Sequence, residues 1–224
     1  MKMKNIYKPI LFGTDMVQAN LSGRKTQTRR IIKSKFGQCM FCGCVDTDCT
    51  QCIEKTGTAC YWVDDTYTVC SACSDLKNTS KAKYQIGDIL WVRESFCFQG
   101  SDDNVLYKVN HPEKDYSHRP IGGWKPSIHM PKGAARIFIY VTNVRAERLQ
   151  DISEADAIAE GIERQKTNYG DYLFKHYLKD KFGPSAKHSF QTLWQKINGI
   201  ESWDKNPYVW VYEYERIEKP KDFI

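Results

Sequence analysis

Gly23-Arg24-Lys25-Thr26-Gln27-Thr28-Arg29-Arg30 is the stretch on which the reading of this chain turns. Upstream of it, Lys8 to Phe12 predicts a short entry strand. Thr14 or Asp15 can then cap a helix whose apolar positions include Met16, Val17 and Leu21. Gly23 is placed to end that helix, because glycine accepts the left-handed conformation of a C-terminal cap. From Thr26 to Ile32 alternating hydroxyls and charges close on isoleucines, the pattern of a strand. A helix end, a tight turn and a strand thus crowd one amine, two hydroxyls and three guanidinium groups together.

The pattern changes at Ser34. Residues 34–83 are rich in cysteine and poor in aliphatics, and read as a lobe inserted into a domain formed by residues 1–33 and 84–224. That domain resumes at Gly87-Asp88, a turn signal before the apolar strand Ile89-Leu90-Trp91-Val92-Arg93-Glu94. Val105 to Val109 predicts another strand, and His111 to Pro131 a long irregular loop. Ala135 to Val144, apolar on both faces, predicts a buried strand. Ser153 starts a helix with Asp156 as reciprocal cap partner and Ala155, Ile158, Ala159 and Ile162 as its apolar stripe. Phe190, Leu193, Trp194 and Ile197 mark a second helix, read as core rather than as a ligand platform, that stops near Gly199. Tyr208 to Ile217 alternates Tyr208, Trp210, Tyr212 and Tyr214 against Val209, Val211, Glu213 and Glu215, a closing strand with one aromatic face. Short strands with a few small helices predict a compact α+β fold built on a β-barrel.

With 224 residues, 41% of them hydrophobic, the chain can bury one sizeable core that carries an insertion. A net charge of +6, with Arg24, Lys25, Arg29 and Arg30 crowded together, suits an anionic partner. No apolar run has the length of a membrane span and the N-terminus has no apolar signal core, so the expected location is cytoplasmic, with no membrane partner. Eight of the nine cysteines fall between Cys39 and Cys73, which in such a chain favours metal over disulfides. Cys39-x-x-Cys42 and Cys70-x-x-Cys73 form two knuckles, the arrangement of a four-thiolate zinc ribbon. Cys44, Cys49, Cys52 and Cys60 leave ligands for a second ion, so one or two structural zinc ions are expected. Cys97, outside the lobe, reads as a buried apolar thiol.

The Gly-Arg-Lys-Thr-x-Thr stretch, the Gly-Asp strand and Ser153 to Gly161 together resemble the ASCH domain, a member of the PUA-like β-barrel superfamily. Trp124 to Pro131 and Trp203 to Trp210 resemble the larger ASCH proteins carried by phages and prophages. The resemblance implies recognition of a nucleoside or of single-stranded RNA. One branch of the family is an amidohydrolase that deacylates acetylcytidine through a lysine, a threonine three positions later and a late-helix glutamate. Matched motif to motif, those roles fall on Lys25, Thr28 and Glu160. The insertion, the long loop and the added C-terminal helix depart from that small enzyme.

In this reading Lys25 is the nucleophile, Thr28 donates to the oxyanion, and Glu160 shuttles the proton to the leaving amine. A neutral lysine at pH 7 costs about 4–5 kcal/mol unless its pKa is lowered, and Arg24, Arg29 and Arg30 with partial burial can lower it. Residues three apart on a regular strand point to opposite faces, so Lys25 and Thr28 converge only if Lys25 lies in the turn or a bulge intervenes. Further substrate-binding candidates are Arg24, Arg29, Arg30, Glu94, Trp124, Ser127 and His129. Glu94 suits the edge of a base, or an ion pair with Arg93 or another neighbour. His129 and Trp124 suit stacking, or burial for structural reasons. The alternatives to amide hydrolysis are a non-catalytic RNA-binding module, or a phage accessory protein that grips a protein partner through the zinc lobe.

Overall fold

The computed structural model describes residues 7–33, 35, 37–45, 48–63, 68–99, 104–111 and 123–223. Its centre is a five-stranded sheet made of β1 (Tyr7–Leu11), β2 (Gln27–Ile31), β3 (Ile89–Arg93), β6 (Phe138–Arg148) and β10 (Tyr208–Ile217), in the order β1-β3-β6-β10-β2. β1 and β3 are parallel; all other neighbours are antiparallel. β4 (Phe96–Phe98) and β5 (Val105–Tyr107) form a separate hairpin. The helices are α1 (Thr14–Leu21), α2 (Thr50–Thr56), α3 (Glu154–Ala159) and α4 (Ala186–Asn198). Between α3 and α4 a three-stranded meander runs through β7 (Arg164–Lys166), β8 (Tyr172–His176) and β9 (Lys181–Gly183).

The fold is mixed α+β, but the strand pairing of the described residues does not close a barrel. β1 and β2 remain edges, joined by a side chain rather than a ladder: Arg30 Nη2 donates to Leu11 O at 2.7 Å. The expected strand from Ala135 starts at Phe138 because a 3-10 turn covers Lys132–Ala134, and β6 runs on to Arg148. The strand expected to Val109 stops at Tyr107, where Lys108–Asn110 turns. At the start of α1 the cap is Gly13, with Thr14 already helical.

β10 explains why the interior is so aromatic. It lies between β6 and β2, and from Val209 to Tyr212 both its faces are buried, including the valine face that alternation alone would leave outside. Phe41, fully buried, reaches out of the cysteine lobe to meet Trp210 edge-on at 5.6 Å and Tyr208 at 5.7 Å. Tyr84, just past the lobe, stands against Tyr212 at 5.1 Å. The lobe therefore shares one apolar core with the sheet it interrupts. A smaller core on β3 and β6 joins Trp91, Phe96, Met130 and Phe138 to Phe223 near the C-terminus. No helix among the described residues is long and apolar enough to cross a membrane.

Candidate functional site

Lys25 lies in the turn, before the regular strand. Arg24 and Lys25 both donate their main-chain N–H to Ala19 O at the end of α1, and Thr26 donates to Ala159 O. This turn removes the conflict of strand alternation, so Lys25 and Thr28 line the same cavity of about 340 Å³. Gly161 brings α3 close enough to supply the third group. Its φ of +83° is left-handed, and a Cβ there would lie 2.7 Å from Lys25 Cβ and 2.9 Å from Ala19 Cβ. Glycine serves on both counts. The main chains of Lys25 and Glu160 consequently meet as a β-bridge.

Lys25 Nζ donates to Glu160 Oε2 at 2.7 Å and to Glu160 O at 2.8 Å. Arg29 Nη1 donates to the other carboxylate oxygen, Oε1, at 3.1 Å. Burial lowers the Lys25 pKa; Glu160 pulls it upward, while Arg30 and Arg29 push in the same direction as burial. The Thr28 side chain is buried, yet its hydroxyl makes no hydrogen bond to another described residue. It is a free polar group facing the cavity. The opposite wall comes from α4, where Phe190, Leu193, Trp194 and Ile197 line the same space. The first three are buried as expected, but Ile197 is 63% exposed near the helix end and is not core. This helix face is both core and cavity wall.

Behind the cavity is an ionic lattice that composition alone does not reveal. Arg29 Nη2 binds Glu147 Oε1 at 2.6 Å and Asp156 Oδ2 at 3.3 Å. Arg145 pairs with Glu147, Asp156 and Glu213. Ser153 caps α3 as expected, accepting from the Asp156 N–H at 3.0 Å, but the Asp156 carboxylate turns to Arg29, Arg145 and Gln27 instead of closing a capping box. Burial raises the Asp156 pKa, but the Gln27 hydrogen bond, Arg145 and Arg29 outweigh it and hold the carboxyl below its usual value. The sequence signal for this lattice was the i, i+2 pair Arg145 and Glu147 on one face of β6.

The remaining candidates separate. Arg30 lines the Lys25 cavity, with its guanidinium 5.4 Å from the centre of the Phe12 ring. Arg24 turns away and donates to Gly161 O and Ile162 O. Glu94 is 1% exposed and held at both oxygens by Arg136, at 2.8 and 2.9 Å, so the neighbour it pairs with is Arg136 rather than Arg93. Trp124, Ser127 and His129 do not line the Lys25 cavity. Ser127–His129 is a 3-10 turn on the Glu94 side, tied by Arg93 Nη2 to Ile128 O, and Trp124 lies 5.7 Å from His111. Part of that expected loop, residues 112–122, lies outside the described residues.

In the lobe, the sulfurs of Cys39, Cys42, Cys44 and Cys70 lie within 4.8 Å of one another, as do those of Cys44, Cys52, Cys60 and Cys70. Either set can hold a metal ion. Cys42, Cys52 and Cys70 form a triangle with sides of 3.7, 3.8 and 3.8 Å. A tetrahedral ion with metal–sulfur bonds of about 2.3 Å needs sulfurs about 3.8 Å apart, so the triangle fits one face of such a site. Cys44 takes the place expected of Cys73, because Gly43 at φ +81° turns the chain back immediately after Cys42. Cys73 rests against Cys39, and that contact holds the Cys39 thiol down to about 4. Cys49 Sγ lies 2.9 Å from Cys60 Sγ. Burial pushes Cys70 up to about 12, so a bound cation would have to displace its proton. Cys97 is buried in β4, away from these sulfurs. Comparison of the chain with protein families, with curated proteins and with solved structures gives no match.

Proposed function

We propose that this protein is a PUA-like, ASCH-type amidohydrolase that removes an acyl group from the exocyclic amine of a modified nucleoside such as acetylcytidine. The observation that carries the reading is the convergence of a buried lysine of lowered pKa, an unpaired threonine hydroxyl and a fixed carboxylate on one cavity of about 340 Å³. Pockets for small ligands are of roughly this volume. The barrel reading is supported by the approach of the edges β1 and β2 through Arg30 and Leu11. Zinc is the proposed metal because clustered thiolates with tetrahedral spacing suit it.

The geometry favours a division of labour that differs from the reading in which Lys25 attacks. Direct attack by the amine would leave the acyl group on lysine as an amide, no easier to hydrolyse than the substrate. Two donors of Lys25 are taken by Glu160, so in the neutral amine the lone pair is left for the cavity. That amine takes the proton from the Thr28 hydroxyl as its oxygen bonds to the acyl carbon. Lys25 Nζ bonds to Glu160 rather than to the Thr28 hydroxyl, so the reaction requires the two groups to approach each other. Collapse of the tetrahedral adduct breaks the C–N bond, and the Lys25 ammonium returns the proton to the leaving nitrogen. Water, deprotonated by the same amine, then attacks the ester carbon; the acyl C–O bond to Thr28 breaks, the Lys25 ammonium returns the proton to the threonine oxygen, and the carboxylic acid leaves. Glu160, anchored by Arg29, positions the lysine throughout.

A panel of acylated nucleosides followed by chromatography tests this reading. Turnover should fall by about 10²–10⁴-fold in Lys25→Met, and mass spectrometry of quenched reactions should find the acyl group on Thr28. Undiminished turnover in Thr28→Ala would overturn the assignment of the nucleophile. Inactivity on the acylated nucleosides and on the same acylated bases carried in nucleotides and in short RNA strands would overturn the activity itself.

A further inference from the structure

A larger cavity, of about 610 Å³, lies where the cysteine lobe meets the open seam of the sheet. One wall is built by β1 and β2 and the other by the lobe, with Trp210 and Tyr212 of β10 also in its lining. Five cations line it: Arg30, Lys33, Lys35, Lys81 and Lys83. No Asp or Glu is among the described residues that line it, and none of the five forms an ion pair with a described carboxylate. By contrast Arg29, beside the smaller cavity, is neutralised by Glu147, Asp156 and Glu160. The two cavities share Leu11, Arg30, Ile31 and Lys33, so one ligand can reach into both across Arg30.

We infer that the larger cavity is a phosphate subsite, so that the ligand of this protein is a phosphorylated nucleoside or a strand rather than a free nucleoside. The step from phosphate to nucleotide rests on the function proposed for the smaller cavity; the phosphate subsite itself does not. Unpaired cations facing one another across a cleft concentrate an anion there. The lobe supplies Lys81 and Lys83 from one side and the sheet supplies Arg30 and Lys33 from the other. The cysteine-rich insertion therefore completes the ligand site.

The probe is a short labelled oligonucleotide of abasic residues, which presents phosphates without bases or acyl groups, titrated into the full chain at several salt concentrations. Saturable binding is expected, with a log–log salt slope of about −0.7 per phosphate met. Lys81→Glu with Lys83→Glu should lower affinity at least tenfold, and Lys81→Arg with Lys83→Arg should keep it. Lys33→Glu, on the opposite wall and outside the lobe, should also weaken binding, which keeps the test valid if the lobe variants lose metal. Nucleoside monophosphate and inorganic phosphate serve as competitors: displacement by either assigns a terminal phosphate, and displacement by strand alone assigns a phosphodiester. Absence of saturable binding at low salt, or binding indifferent to both charge reversals, overturns the subsite. Failure of deacylation with abasic binding intact would remove only the reading of the smaller cavity.

Discussion

Lys25 is tied to Glu160 twice, by hydrogen bonds from its amine to the carboxylate at 2.7 Å and to the main-chain carbonyl at 2.8 Å. Removal of Glu160 takes from buried Lys25 the carboxylate it pairs with among the described residues, whereas Arg29 keeps Glu147 and Asp156. Breaking a buried ion pair on one side costs about 3–5 kcal/mol. Glu160→Ala should therefore unfold at markedly lower urea concentration with an unchanged m-value, and a wild-type midpoint would contradict a structural role for this network.

The depressed pKa of Lys25 sets a pH dependence whose sign is fixed. Burial, helped by Arg30 and Arg29, makes the folded protein release this proton below the ordinary lysine value of 10.5. Between the folded and unfolded values the unfolded chain binds more protons, so this residue makes stability rise with pH in that window. The deacylation rate should rise through the folded value and level off before surface lysines titrate. Rate profiles over pH, with Lys25→Arg as the control that should abolish the limb, provide the measurement.

Gly161→Ala should disturb the site without removing a charged group. The new methyl would meet Lys25 Cβ at 2.7 Å and Ala19 Cβ at 2.9 Å, in a backbone conformation that alanine resists. Overpacking of this kind costs about 1–3 kcal/mol. Denaturation should show the loss, and turnover should fall further than stability accounts for because Glu160 shifts against Lys25.

Metal removal should be felt in the sheet as well as in the lobe. Elemental analysis should find at least one equivalent of metal per chain, since each of the two overlapping sulfur sets can hold an ion. Chelation should free Phe41 from Tyr208 and Trp210 and change the near-UV circular dichroism of the aromatic face. Phe41→Ala, which empties the same contact, should cost about 3–5 kcal/mol. A metal-free protein with the same spectrum and protease resistance would refute this coupling.

Local sequence revealed what is built locally. The turn at Gly23, the Ser153 cap, the buried run into β6 and the clustering of thiols all follow from neighbours along the chain. What stayed hidden depends on strand pairing. Glu147 reaches Arg29 only because β6 and β2 both flank β10, and Arg136 finds Glu94 from 42 residues away. The meander β7–β8–β9 was missed because its first strand, Arg164-Gln165-Lys166, is exposed on both faces and has no apolar alternation to betray it. Lack of closure between β1 and β2 was equally illegible, since composition says little about which edges a sheet leaves unpaired.

Those two unpaired edges carry a hazard. Exposed strand edges invite pairing with a second chain, and here β1 and β2 offer such edges side by side. Pro9 in β1 lacks an N–H to donate, but β2 has no proline. The lobe that follows β2 in sequence stands over both edges in space, its Gln38, Met40 and Gly43 lining the cavity beside Ile10, Ile31 and Ile32. A lobe deprived of the metal that its thiols can hold would leave both edges open, so metal starvation should send this protein toward β-rich aggregates rather than a loosened monomer.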